Sequence, residues 1–281
     1  MKFRGAVAVI ALGLGFTSWG ADAEPIVNVV ERTEVEFIPL NPARGDASPK
    51  AGVLWGDIRQ DVPSGALITF ADGFASPPHI HNITYRAVVI EGTVHNDDPD
   101  AENLWMGPGS FWTQPAGEVH ITSVGPGGGT AFLEILSGPY LVQPSRQAFD
   151  NGERPVNVEE RNVVWLDSSD VSWVAHGAGT GGPEVAFLWG TPADGQLNGT
   201  FVKLPAAFSG ALQTLGSEIK AVLVKGRVTH AAGEHAPPRA LGAGSYFGSQ
   251  GDVAHDLTCA SDQACVVYVR AAGKYQVVDG D

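Results

Sequence analysis

The sequence predicts an all-β protein built from two similar jelly-roll barrels in tandem. Two observations lead to this fold class: short runs rich in β-branched and aromatic residues alternate with turn formers, and most of the chain repeats once. Runs such as AVVIEGTV and KAVLVKGRV are typical strands, and no segment after the first residues keeps a helical period for three turns. Closing such strands into a barrel removes their exposed edges.

The first 23 residues are predicted to be a signal peptide. Lys2 and Arg4 precede an apolar run at residues 6–16, and residues 21–23 (Ala-Asp-Ala) provide a small-x-small cleavage site. The run is too short for a membrane-spanning helix. We therefore expect an exported protein, periplasmic or secreted.

The internal repeat defines the domains. VLWG at 53–56 matches FLWG at 187–190, an offset of 134 residues (187 minus 53), and NVV at 28–30 is matched with NVV at 162–164. One inserted residue then aligns His120 with His255. The predicted boundaries are an N-terminal domain at 24–143, a polar linker at 144–160 and a C-terminal domain at 161–281.

Charge and cysteine content narrow the partners. The chain has 17 Lys and Arg against 31 Asp and Glu, a net charge of −14, which disfavours nucleic acid and anionic membranes as partners. We expect a monomer or homodimer that binds a small molecule. Cys259 and Cys265 flank a turn, and in an oxidising compartment they predict a local disulfide. The alternative, a redox or metal pair, lacks the C-x-x-C spacing.

Three histidines of the first half form a candidate metal site. His79 and His81 are two apart in a strand-like segment, so both side chains point to one face, about 7 Å apart along the chain. A turn at residues 115–117 would deliver His120 from a neighbouring strand. Three imidazoles leave coordination positions open, as in a reactive site.

These residues resemble the two motifs of the cupin superfamily, G-x5-H-x-H-x3,4-E-x6-G and G-x5-P-x-G-x2-H-x3-N. The positions that match are Gly73, His79, His81, Gly92, Gly109, Pro115, Gly117 and His120. Tyr85 replaces the motif glutamate and Val124 the final asparagine. The resemblance implies two tandem cupin barrels, each a double-stranded β-helix. The Leu-Trp-Gly openings are similar to an uncharacterised bicupin family related to the cupin domain of zinc-binding anti-sigma factors.

Without the glutamate, one divalent ion (iron, zinc or manganese) would keep its full charge and favour anionic ligands. The resemblance supports this, because cupin dioxygenases that act on β-diketones and thiols also use three histidines. A metal-dependent oxygenase or lyase acting on a small anionic substrate is the leading hypothesis. A non-catalytic protein that binds or senses a metal or small ligand is the alternative.

Other residues are assigned near the site. Tyr85 could ligate as phenolate, but its reference pKa of about 10 favours a neutral hydrogen-bonding role. His95, Trp112 and Glu118 are candidates for contacting the ligands or lining the pocket. His176, His230 and His235 are expected in exposed loops.

The second half is predicted to have lost the metal site. Gln213, Leu215 and Ile219 stand where His79, His81 and Tyr85 stand in the first half, and only His255 remains. A single histidine cannot hold an open metal site. We expect this barrel to be retained for packing against the first.

Overall fold

A computed structural model describes residues 26–175, 181–216, 218–233 and 236–280 of the chain. The predicted signal peptide, His176 and His235 lie outside these residues. Within them, no helix has the length and apolar composition needed to cross a bilayer. The helices described are single 3₁₀ turns or pairs of turns, namely Arg32–Glu34, Pro42–Ala47, Ser145–Gln147 and Glu160–Asn162.

The described chain is almost entirely β-strand, which confirms the predicted fold class. In chain order the strands up to the end of the first barrel are β1 (Ile26–Val30), β2 (Ile38–Pro39), β3 (Lys50–Trp55), β4 (Ser64–Phe70), β5 (His79–His81), β6 (Tyr85–Glu91), β7 (Val94–Asp97), β8 (Phe111–Gln114), β9 (Ile121–Val124), β10 (Gly129–Ile135), β11 (Val142–Pro144) and β12 (Val156–Val158). The remaining strands are β13 (Val174–Ala175), β14 (Glu184–Gly190), β15 (Leu197–Leu204), β16 (Ser209–Thr214), β17 (Ile219–Lys225), β18 (Arg227–Ala232), β19 (Arg239–Gly242), β20 (Tyr246–Gln250), β21 (Ala254–Cys259), β22 (Cys265–Ala272) and β23 (Tyr275–Asp279).

Each barrel is built from more than one sheet. The large sheet of the first barrel has the order β12-β8-β6-β10-β4-β3-β2, and the two-stranded sheets β11-β5 and β7-β9 complete that barrel. The second barrel combines the sheets β1-β20-β17-β22-β15-β14 and β13-β23-β16-β21-β18-β19.

The seven-stranded sheet of the first barrel packs face to face against the sheet of the second barrel that contains β1 and β20. The central strands of these two sheets are therefore buried on both sides. In β4, Ala66 and Ile68 pack inside the first barrel, whereas Leu67 between them packs against the second. Alternate residues of a strand point to opposite faces, which explains the continuous apolar run. The interface also buries Glu134, whose carboxylate accepts a 2.5 Å hydrogen bond from the hydroxyl of Tyr268 in the other barrel.

The barrels exchange one strand each. β1, from the start of the chain, pairs with β20 of the second barrel, in register from Ile26 with Gln250 to Val30 with Tyr246. β12, which follows the first barrel, returns to pair with its β8. Residues 26–30 of the predicted N-terminal domain therefore extend a sheet of the C-terminal barrel, and residues 156–158 of the predicted linker extend the N-terminal sheet.

The exchange also corrects one part of the repeat alignment. Val27-Asn28-Val29 and Val156-Asn157-Val158 are the structural counterparts, since each is an edge strand followed by a 3₁₀ turn. The matched NVV at 162–164 therefore lies one turn too far along the chain. A better signal is the pattern V-N-V-x-Glu-Arg, which occurs at residues 27–32 and again at residues 156–161.

Ion pairs fasten both exchanged segments. After β1, the guanidinium of Arg32 binds both oxygens of Glu91 at 2.5 and 2.7 Å, and its backbone N–H donates to Ser245 of the second barrel. After β12, Glu160 pairs with Lys225 of the second barrel. Each ion pair thus joins the segment to the barrel that it leads into.

Candidate metal centre

Two short strands and one turn bring the three predicted histidines together. His79 and His81 lie at the ends of β5, whose middle residue Ile80 is buried on the opposite face. His120 follows a turn in which Gly117 has a φ of 78°, a left-handed conformation that favours glycine. His120 and His79 then exchange two backbone hydrogen bonds of 3.0 Å, which places their side chains next to each other.

All three imidazoles are held in the same tautomer. Each Nδ1 lies against a backbone carbonyl: that of Pro77 at 3.0 Å for His79, that of Leu141 at 3.1 Å for His81 and that of Glu118 at 3.1 Å for His120. Because a carbonyl only accepts, each Nδ1 carries the proton. Every Nε2 therefore carries no proton and keeps its lone pair, the form in which histidine binds a metal.

The ligand atoms of the three rings lie within 4.8 Å of one another. The pKa of all three histidines is lowered, to about 3 for His120 and well below the usual value for His81. Burial is the main cause, and the neighbouring imidazoles contribute to the lowered pKa of His81 and His120. The rings are consequently neutral at physiological pH. His120 Nε2 is buried with no hydrogen-bond partner among the described residues, as expected of an atom that awaits a metal ion.

Tyr85 stands at the position of the motif glutamate but its hydroxyl points away from the histidine cluster. It donates a 3.0 Å hydrogen bond to the side-chain carbonyl of Asn96. Asn96 is fixed in turn by Thr122 and Gln114. The ring edge of Tyr85 still packs 5.1 Å from His81, between ring centres, and burial raises its pKa. In this arrangement Tyr85 is a neutral neighbour of His81.

A second tyrosine, Tyr140, was not found by sequence reasoning. Its ring stacks on His81 with 4.4 Å between centres, and its hydroxyl lies 3.2 Å from His81 Nε2. Tyr140 lies twenty residues after His120 (140 minus 120) and outside both cupin motifs, so no motif position identifies it. The cluster thus has three nitrogen donors and one phenol.

His79 and His81 line a cavity of about 760 Å³ in the first barrel, and the His120 ring packs against that of His79. Its wall is mainly apolar, with Trp112 and Phe70 among the aromatic residues. The volume suits a small organic molecule. Trp112 lies edge-on to Tyr85 with 6.4 Å between ring centres, so the structure places it in the pocket wall.

His95 and Glu118 do not line this cavity. His95 precedes Asn96 on β7 and so faces the other side of the strand, where its Nδ1 donates to the carbonyl of Leu104. Glu118 contributes through its backbone carbonyl, which orients His120, while its side chain borders a shallow surface depression beside Arg154. Neither side chain reaches the metal-binding nitrogens.

The second barrel contains a different histidine arrangement. His255 is buried, with Nε2 2.8 Å from the hydroxyl of Ser249 and Nδ1 2.9 Å from Nε2 of His230. Both of its nitrogens are occupied, and no cluster of three metal-binding side chains occurs in the described part of this barrel. His230 lies on β18 and is buried, which corrects the expectation of an exposed loop. It takes the place of Asn96, 134 residues earlier (230 minus 96).

Cys259 ends β21 and Cys265 begins β22, so the two cysteines flank a turn, as predicted. The two strands belong to different sheets, and both cysteines are free in the structure. Both are buried, and Cys265 Sγ donates to the carbonyl of Arg227 at 3.3 Å. The predicted disulfide is therefore not formed here.

One family model matches nearly the same part of the chain as the internal repeat covers. The model of a family described as a domain of unknown function, DUF4437, matches residues 28–278, which include both barrels. The chain belongs to the DUF4437 family. No curated protein matches it.

Solved structures similar to this DUF4437 chain share its fold at low sequence identity. A protein of Nostoc punctiforme described as a candidate dioxygenase superposes with a TM-score of 0.65 at 12% identity, covering 88% of this chain and 83% of its own. Oxalate decarboxylase of Bacillus subtilis, studied for its Mn(II) centres, gives 0.52 at 11%, covering 88% and 77%. The 7S globulin of Momordica charantia gives 0.55 at 7%, covering 86% and 83%.

These neighbours are cupin-fold proteins, so the DUF4437 chain has a two-barrel cupin fold, as the motifs predicted. The family match carries no link to anti-sigma factors. Together with the histidine cluster, the fold supports a metal-binding cupin. Neutral imidazoles suit iron, zinc and manganese alike, so the donor set fits a divalent ion without selecting one.

Proposed function

We propose that this protein is an exported metal-dependent enzyme of the dioxygenase or lyase type, acting on a small anionic organic substrate in the first barrel. The cluster of three proton-free Nε2 atoms, with His79 and His81 in the wall of a cavity, carries the proposal. His79, His81 and His120 would hold one divalent ion. Bound there, the ion would supply Lewis-acid or redox chemistry to a ligand in the cavity.

The protein's own residues have separate tasks. The carbonyls of Pro77, Leu141 and Glu118 fix the imidazole orientations. The apolar wall excludes water from the substrate, which strengthens electrostatic interactions inside. The Tyr140 hydroxyl, 3.2 Å from His81 Nε2, is placed to donate a hydrogen bond to a group held beside that nitrogen.

Metal analysis combined with an activity screen tests this function. The full chain, produced with its leader and purified without chelators, should contain one metal ion per chain. After loading with Fe(II), Mn(II) or Zn(II), it should consume oxygen or release product from a panel of β-diketones, thiols and small carboxylic acids. Stoichiometric zinc with no turnover under any loading would reject the enzyme, and two ions per chain would contradict the account of the second barrel.

A non-catalytic role in binding a metal or small ligand is the second candidate. One observation favours it: apart from His79 and His81, no described histidine or carboxylate lines the cavity to act as a general base. Tight, stoichiometric ligand binding without product formation would support this alternative.

A further inference from the structure

Arg44 is the one formally charged side chain among the described residues that line the cavity. The whole chain has 31 acidic residues against 17 basic ones, yet the described lining includes no carboxylate. A bound divalent ion would add two further positive charges at the histidine end. The formal charge of the described cavity lining is therefore positive, opposite in sign to the net charge of the whole chain.

A strap over the cavity mouth carries Arg44. The strap runs from β2 through the 3₁₀ helix Pro42–Ala47 to β3, and hydrogen bonds of 2.9 Å from Leu40 N–H to the Pro49 carbonyl and from Asn41 N–H to the Ser48 hydroxyl close its base. The Arg44 guanidinium lies over the ring of Phe74, 5.5 Å from its centre. It forms no ion pair with any carboxylate in the described chain.

Most of the cavity wall other than Arg44 and the histidines is apolar. Phe70 and Phe74 pack together at 5.3 Å between ring centres on the cavity wall. At the mouth, Leu141 and Val142 are 45% and 61% exposed although large and apolar. Such a surface gains free energy when an apolar molecule covers it. A ligand that matches this cavity has charge at both ends and hydrocarbon between them.

We propose that the ligand of the metal site is an amphipathic organic acid: one anionic group binds the metal, an apolar body fills the cavity, and a second anionic group pairs with Arg44. This inference rests on the proposed metal site. A guanidinium pairs well with a carboxylate or phosphate because it offers parallel N–H donors. An aliphatic or aromatic dicarboxylate-like molecule satisfies all three regions.

Hydroxamates of graded length test the pairing directly. The zinc-loaded full chain is titrated calorimetrically with alkyl hydroxamates of two to six methylenes that end either in a methyl group or in a carboxylate. The hydroxamate chelates the metal, and the series varies the distance from the metal to the second end of the ligand. At the best length the carboxylate compound should bind about 10-fold tighter or better than its methyl partner.

Arg44→Gln should abolish that preference while leaving the methyl-ended affinities within about 2-fold of wild type. Arg161→Gln, at a guanidinium that is 85% exposed away from the cavity, makes the same change in net charge and should retain the preference. Equal binding of both series by the wild-type protein would overturn the role of Arg44 alone. Absence of binding by either series would overturn the metal site itself.

Discussion

The hydroxyl of Tyr140 lies 3.2 Å from Nε2 of His81, on the side where a metal ion would bind. Because His81 Nδ1 already donates to the Leu141 carbonyl, Nε2 is the acceptor of this contact. A metal on Nε2 would take the lone pair and release the hydroxyl. Tyr140 would then be free to donate to a ligand in the cavity, without leaving its stacked position on His81.

Tyr140→Phe should therefore weaken ligand binding without removing the metal. The ring and its stacking stay, while one hydrogen bond to the ligand is lost, worth about 1 kcal/mol or roughly 5-fold in affinity. Calorimetry with acetohydroxamate on the zinc-loaded protein measures the change. Loss of stoichiometric zinc in this variant would instead make Tyr140 a ligand.

Tyr85→Phe is the matched control. The Tyr85 hydroxyl donates to Asn96 and faces away from the cluster, so acetohydroxamate affinity should stay within about 2-fold of wild type. The free energy of unfolding should fall by only about 1 kcal/mol, because the buried carbonyl of Asn96 loses this donor but keeps the Thr122 hydroxyl. A marked loss of zinc in Tyr85→Phe would show that the tyrosine replaces the motif glutamate as a ligand.

His81→Ala should lower zinc affinity by at least about 100-fold, because one of three donors is removed. Competition with a chromophoric chelator gives the affinity. His95→Gln replaces another buried histidine of the same barrel, on the face of β7 away from the cluster, and should keep wild-type affinity. Full metal occupancy in His81→Ala would mean that the ligand set is wrong.

Acid should destabilise the second barrel through its buried histidines. Burial lowers the pKa of His230 to about 4 and that of His255 to about 3, and neighbouring charge on Arg239 and His230 respectively adds to the effect. Above pH of about 6.5 these rings are neutral in both folded and unfolded chains. Below it the unfolded chain takes up protons that the folded chain refuses, so stability falls as the pH drops toward 4.

His230→Asn, which installs the residue found at the equivalent position of the first barrel, should flatten this dependence. One such histidine accounts for about 2 kcal/mol between pH 7.5 and pH 5. Urea unfolding of the metal-free protein at the two pH values measures it. An unchanged difference in the variant would show that His230 is protonated, or accessible, in the folded state.

Protein recovered from an oxidising compartment should contain a Cys259–Cys265 disulfide, although both thiols are free in the structure. The two cysteines lie on either side of one short turn between β21 and β22, and an oxidising compartment favours a disulfide between cysteines so placed. Intact mass measured with and without reductant would differ by two hydrogens. Alkylation of both cysteines in unreduced, unfolded protein would contradict this prediction.

The fold and the three histidines could be predicted because their signals are local. Strand runs, turn glycines and the spacing of His79, His81 and His120 are fixed by a few residues each. Tyr140 and Arg44 could not be found this way, since they reach the cavity from a loop and a strap outside both motifs. His230 was misplaced because the residues around it are typical of loops, whereas its partner His255 lies twenty-five residues away.

The exchanged strand β1 has a consequence for the order of folding. It is the first described strand to leave the ribosome, yet its partner β20 is among the last, with Ile26 opposite Gln250. The first barrel can therefore close around its histidines before the second is complete, but the N-terminal segment must wait, unpaired, for nearly the whole chain. Pairing at such long separation is slow, and it makes the two halves a single cooperative unit. The second barrel therefore supplies the pairing partner of the first described strand. A chain truncated before β20 would leave β1 as an unpaired edge strand.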